Sequence, residues 1–185
     1  MNTWLIGAML AQWIVILALV VMNAVLFRQL GIIIMGSARG VEASGIPVGK
    51  KPPQDRLAAL DGDWAPSDWS TQSYLIFFAG TYCSECAQLW PTLRQLHERG
   101  LQLVVMLFHN DPDESAAYVR EHDVPGVVIP TDQETGHRFD AVAVPFAYVI
   151  DARGGVAAKG MAGGEARLAE FATLCGVPAE HAAAG

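Results

Sequence analysis

Three patterns of hydrophobic and polar positions follow one another along the chain. The first is one apolar run. Residues 1–27 hold no Lys, Arg, Asp or Glu, and Trp4 to Phe27 is broken only by Gln12, Asn23 and small residues. At ~1.5 Å per residue such a run reaches ~36 Å, enough to cross a ~30 Å hydrocarbon core with some tilt. A cleaved signal peptide would need a basic start, a shorter apolar stretch and a small-residue site. Only Gly36-Ser37-Ala38 has the look of such a site. Residues 1–28 are therefore expected to be a retained, single-pass transmembrane anchor.

The second pattern is a connector, residues 29–50. Gly31 to Met35 is still apolar, Gly36 to Gly49 is rich in Gly, Ser and Ala, and Lys50-Lys51-Pro52-Pro53 is stiff and extended. The third is a soluble pattern that predicts a domain over 51–177, followed by a short flexible tail, 178–185. Tyr74–Ala79 and Leu101–Phe108 are continuous apolar runs of the kind found in strands buried on both faces. Between them, Leu89, Leu93 and Leu96 recur at helical spacing over Cys83–Arg99. Asp111-Pro112-Asp113-Glu114 starts a helix that runs to about His122. Val127–Ile129 predicts a short strand, Thr131–Asp140 a short helix, and Phe146–Ile150 and Val156–Met161 a hairpin. Glu165–Leu174 predicts a last amphipathic helix, ended by Gly176 and Pro178. The order β-α-β-α-β-α and then β-β-α gives an α/β fold, a mixed sheet with helices on both faces.

Charge narrows the function. Residues 61–185 carry seven basic and seventeen acidic side chains, a balance of −10. Nucleic-acid binding rests on phosphate neutralisation, so no nucleic-acid partner is expected. Residues 1–60 carry a balance of +3, and all of those charges follow the apolar run. By the positive-inside rule, Arg28, Arg39, Lys50 and Lys51 favour a cytoplasmic domain.

Of three cysteines, two are spaced as Cys83-Ser84-Glu85-Cys86, just after a buried strand and at a helix start. Free N–H groups and the positive end of the helix dipole favour a thiolate on the first cysteine. The second, one turn on, is placed to attack a mixed disulfide from inside. Half of a zinc site and a pair of idle core cysteines are the alternatives. A zinc site wants a second ligand pair, and His97, His109, His122, His137 and His181 share no ligand spacing with the cysteines. No metal or other cofactor is expected. Cys175, beside Leu168 and Phe171, reads as a core residue. Trp64, Trp69 and Trp90 read as core or hairpin packing before partner contacts.

The segment Phe77 to Cys86 resembles the strand-to-active-site segment of the thioredoxin fold. Tyr82 stands where many members have Trp, Pro91 at the helix proline, Val144-Pro145 at the cis-proline segment, and Asp151–Gly160 at the closing hairpin. The stretch from Asp111 to Pro130 is similar to the insert of the membrane-anchored TlpA and ResA branch. The anchor, Arg28-Gln29-Leu30-Gly31 and Gly45-Ile46-Pro47-Val48-Gly49 resemble the MauD family, accessory proteins of methylamine dehydrogenase maturation. The resemblance implies a thiol–disulfide oxidoreductase with Cys83 and Cys86 catalytic and Tyr82, Val144 and Pro145 against the client. It implies a disulfide-containing client protein, a membrane-embedded or soluble electron-transfer partner, and a domain in the periplasm or cell exterior. That placement opposes the charge rule. A binding or assembly module with a little-used pair, and a reductant for cytochrome c maturation, are the competing functions. Two departures stand out. MauD-like proteins usually have Pro between the cysteines, where this chain has Ser84-Glu85, and the negative Glu85 opposes a thiolate. ResA-like members place a carboxylate where this chain has Leu89. Glu85 itself reads as an exposed helix-start acid.

Overall fold

The uncharged run at the start is a single helix, α1, over Thr3–Met35. The computed structural model describes residues 3–35, 44–69, 71–109, 111–141 and 143–178. Gly36-Ser37-Ala38, Arg39, His181 and the tail from residue 179 onward lie outside these. The described residues fall into two units, divided between residues 40 and 41. In α1 the apolar side chains go all the way round rather than forming a stripe, the pattern of a helix written for a uniformly apolar surrounding. Its Gly7–Val25 stretch is long and apolar enough to cross a membrane.

The second unit is built on a five-stranded sheet. Its strands are β3 (Tyr74–Gly80), β4 (Leu103–Phe108), β5 (Val127–Thr131), β6 (Phe146–Ile150) and β7 (Val156–Met161), in the order β5-β4-β3-β6-β7. The pairs β3–β4 and β4–β5 are parallel, and β3–β6 and β6–β7 are antiparallel. Successive side chains of β3 point to opposite faces. Leu75, Phe77 and Ala79 enter one core with Trp90 and Leu93 of α2 (Ser84–Glu98), Tyr118 of α3 (Pro112–His122), and Leu168 and Phe171 of α5 (Glu165–Leu174). Tyr74, Ile76 and Phe78 enter a second core with Trp64, Phe139 and Val156. Phe139 follows α4 (Gln133–Arg138). Every residue of β3 is buried, which is why its sequence is apolar without alternation.

Two features differ from expectation. A small hairpin, β1 (Leu57–Ala59) and β2 (Gly62–Trp64), precedes the sheet. The Leu60 N–H at its turn donates to Val128 O at 2.9 Å, on edge strand β5. Trp64 packs edge-on against Trp69 and Tyr74, with ring centroids 5.7 and 5.9 Å away. The second difference lies in residues 44–50 of the expected connector, which are held to the domain. Gly49 N–H donates to Val156 O, and Val156 N–H to Lys50 O, both at 2.8 Å. Ile46 N–H donates to the Tyr148 hydroxyl at 2.9 Å, and Lys159 Nζ donates to the carbonyls of Ser44 and Gly45. Gly45 sits at φ +85°, and a Cβ there would stand 2.5 Å from the Tyr148 hydroxyl. Glycine is therefore required for this close approach.

Candidate active site

Strand β3 ends at Gly80 and α2 begins at Ser84, so three residues turn the chain at the carboxyl end of the central strand. This is where ligands meet open α/β sheets. Cys83 is the N-cap of α2, and its Sγ accepts from the Cys86 N–H at 3.1 Å. A cap sulfur is unusual, since oxygen side chains normally take this place. When the pair is reduced, the same N–H and the helix dipole favour negative charge on Cys83. Cys83 and Cys86 form a disulfide with S–S 2.09 Å. Cys86 is fully buried, whereas Cys83 is half-buried. Of the two sulfurs, that of Cys83 is the one a second protein can reach.

The cysteine opens into a cleft of about 540 Å³, lined by Tyr82, Cys83, Glu85, Phe108, His109, Gln133 and Val144 among others. Tyr82 is 75% exposed beside the disulfide, and its hydroxyl donates to the Glu114 carboxylate at 3.1 Å. Glu114 is in the first turn of α3, so the inserted helix reaches the wall of the site. Val144 comes from the loop before β6. Its Cγ2 and the Cys83 Cβ stand 3.7 and 3.8 Å from where a Gly80 Cβ would be, so both lie over that glycine. The Val144–Pro145 peptide is cis. Pro145 is buried, and its carbonyl accepts from Ala162 N–H at 2.9 Å, tying the loop to the end of β7.

The structure thus brings Cys83, Tyr82 and Val144 to one cleft and puts Cys86 beneath it. Leu89 is buried in the core, and no lining carboxylate replaces the one found there in ResA-like members except Glu85. Glu85 is exposed, and its Oε1 would stand 2.5 Å from a Cβ on Gly163. Its carboxylate therefore leans onto the loop ahead of α5. Trp64 and Trp90 belong to the cores and do not line the cleft. Trp90 Nε1 donates to the Tyr118 hydroxyl at 3.1 Å.

Sequence reasoning missed His109, Glu114 and Gln133 as neighbours of the pair. His109 follows β4, whose last residue Phe108 pairs with Gly80, and the parallel register is the signal that could have found it. Among the described residues, His109 Nδ1 and Thr81 Oγ1 are buried without a hydrogen-bond partner. Asp132 caps α4 and accepts from Thr135 N–H, which holds its carboxyl below the usual range. His109 adds a smaller lowering influence on the same carboxyl. Among the described residues no cluster of three or more His, Cys, Asp or Glu is placed to hold a metal ion.

No protein-family model matches the chain. It is similar to the methylamine utilization protein MauD of Paracoccus versutus, with 24% identity over 163 residues, 86% of this chain and 83% of that one. The corresponding protein of Methylorubrum extorquens is 25% identical over 165 residues, 85% and 80% of the two chains. Among solved structures it is similar to a thiol:disulfide interchange protein of the thioredoxin family from Chlorobium tepidum, with TM-score 0.57 and 17% identity, covering 70% of this chain and 98% of that one. A thio-disulfide isomerase from Thermus thermophilus gives TM-score 0.56 and 22% identity, covering 71% and 99%. A CxxC pair at a strand-to-helix turn and a cis-proline loop against it give the chain the thioredoxin fold of these structures, and its sequence is similar to MauD over most of both chains.

Proposed function

We propose that the chain is a membrane-anchored thiol–disulfide oxidoreductase that acts outside the cytoplasm on disulfides of client proteins. The observation that carries this reading is the asymmetry of the pair: a half-buried Cys83 at a helix N-terminus, bonded to a fully buried Cys86. In the reducing direction, the Cys83 thiolate attacks one sulfur of the client disulfide, and the other client sulfur leaves as a thiolate and takes a proton. The Cys86 thiolate then attacks Cys83 Sγ and releases the second client thiol. Two electrons pass from the protein dithiol to the client, and the protein disulfide forms. The oxidising direction runs the same steps backwards. Tyr82 and Val144 would flank the client segment, and Pro145 would hold their loop in place.

The MauD likeness supports a role in methylamine utilisation, with maturation of methylamine dehydrogenase as the specific process and an electron-transfer partner that resets the pair. Residues 1–28 would be the anchor and 51–177 the catalytic domain, with 44–50 as its collar. The domain is placed in the periplasm or cell exterior, against the weak charge bias after the span. The full chain in non-ionic detergent should exchange disulfides with a disulfide-bonded peptide, and Cys83→Ser should abolish this. Reporters active on only one side of the membrane, fused to Gly185, should signal from the exterior. A signal from the cytoplasmic reporter alone overturns the placement.

A further inference from the structure

The chemistry of the cleft reaches beyond disulfide exchange to the kind of client it accepts. We propose that it selects clients whose reacting cysteines are flanked by Lys or Arg, an inference that rests on the thiol–disulfide reading above. Three carboxylates line the cleft or adjoin its lining residues, each from a different element. Glu85 of α2 lines the cleft directly. Glu114 of α3 is held at the rim by the Tyr82 hydroxyl, at 3.1 and 3.3 Å to its two oxygens. Asp132 caps α4 immediately before the lining residue Gln133, and its lowered carboxyl stays ionised.

Among the described residues no Lys or Arg lines the cleft to offset them, and His109 is the lining side chain that can carry positive charge. Several arginines elsewhere are paired with carboxylates: Arg94 with Asp123, Arg138 with Asp55, and Arg167 with Glu170. Beyond residue 60 the chain carries ten net negative charges, so the far field has the same sign as the near one. Charges spaced within a Debye length of ~8–10 Å act on a docking segment before contact. An acidic flank on the client is repelled, and a basic flank is drawn towards Cys83.

The test uses the full chain, reduced, in non-ionic detergent. Three peptides each carry one internal disulfide, flanked by Lys, Gln or Glu. Each rate is divided by that of dithiothreitol with the same peptide, which removes the effect of the flanks on the leaving thiol. At low salt the normalised rate for the Lys peptide should exceed that for the Glu peptide by about tenfold, with Gln between. The ratio should fall towards one at high salt, and to about threefold at low salt in the Glu85→Gln, Glu114→Gln double variant. Equal rates for Lys and Glu peptides, or a ratio that the double variant leaves unchanged, overturn the proposal while the exchange activity stands. If no peptide reacts, the thiol–disulfide reading falls and this inference with it.

Discussion

Cys83 and Cys175 carry the same thiol at opposite ends of two helices. Cys83 is the N-cap of α2, where the Cys86 N–H points at its sulfur. Cys175 is the C-cap of α5, where the dipole presents its negative end. Cys83 opens into the cleft, whereas Cys175 packs against the core below the sheet. Burial pushes the Cys175 thiol up to about 12. Reactivity therefore comes from the place a fold gives a cysteine, and only one of these places combines access with stabilisation of a thiolate.

The largest effect separates the two by activity. Cys83→Ser should lower disulfide exchange by at least about 100-fold, because it removes the nucleophile. Cys86→Ser should instead trap a mixed disulfide with the client on Cys83, visible by mass on a non-reducing gel. Cys175→Ser should stay within about twofold of the parent. A loss of activity in Cys175→Ser comparable to that in Cys83→Ser would break the comparison.

Labelling gives a smaller, graded effect. In the reduced full chain a brief pulse of iodoacetamide at neutral pH should modify Cys83 at least about tenfold faster than Cys86 or Cys175, read by peptide mass spectrometry. Cys175 should label once the chain is unfolded. Preferential labelling of Cys86 would mean that the helix N-terminus does not set the order.

The Cys175 thiol also carries a pH signature. The folded value for Cys175 lies above its ordinary value near 9.0, so folding favours the neutral form. Its contribution to stability is complete below about pH 9 and is lost as pH rises from there towards about 12. Burial also raises Tyr74 and Tyr148 above their ordinary value of 10.0, so the interval just above pH 9 isolates the cysteine. With the Cys83–Cys86 disulfide intact, the parent should lose up to about 1 kcal/mol more than Cys175→Ser between about pH 9 and pH 10. Denaturant unfolding at the two pH values measures this. Equal losses would place Cys175 in a wetter site than its packing indicates.

These contrasts show what the chain made legible. The Cys83–Cys86 pair and the buried strands β3 and β4 are written in short runs of sequence, where local pattern decides the outcome, and the Val144-Pro145 segment was legible through the family resemblance. The β1–β2 hairpin escaped because each strand is only three residues long, although Asp61-Gly62 is a turn signal. Residues 44–50 read as a connector because Gly, Ser and Pro mark loops. Nothing local reveals that Ile46 and Gly45 meet Tyr148, more than 100 positions on. The Tyr82–Glu114 bond joins residues 32 apart, and His109 reaches the cleft only through the parallel register of β3 and β4. The chemistry was local and readable, whereas the walls around it are tertiary.

The smallest effect sharpens the account of Cys83 itself. The helix N-terminus favours its thiolate, and the Glu85 charge two residues on opposes it. The Glu85 carboxylate leans onto Gly163 and is exposed to solvent, so its field at the sulfur is screened. Glu85→Gln removes the charge and keeps the shape. Reduction then gives a more stable thiolate, so the disulfide should become more oxidising, by about 10–20 mV. Gly163→Ala offers a second handle, since its Cβ would meet the carboxylate, the movable end of a flexible side chain. That substitution should shift the potential where Glu85 is charged and leave it in place in the Glu85→Gln background. Glutathione redox titration of the full chain in detergent reads both. A potential that is unchanged or more reducing in Glu85→Gln would mean that the carboxylate is not felt at Cys83. The oxidising strength of the pair would then rest on the α2 N-terminus and on the burial of Cys86.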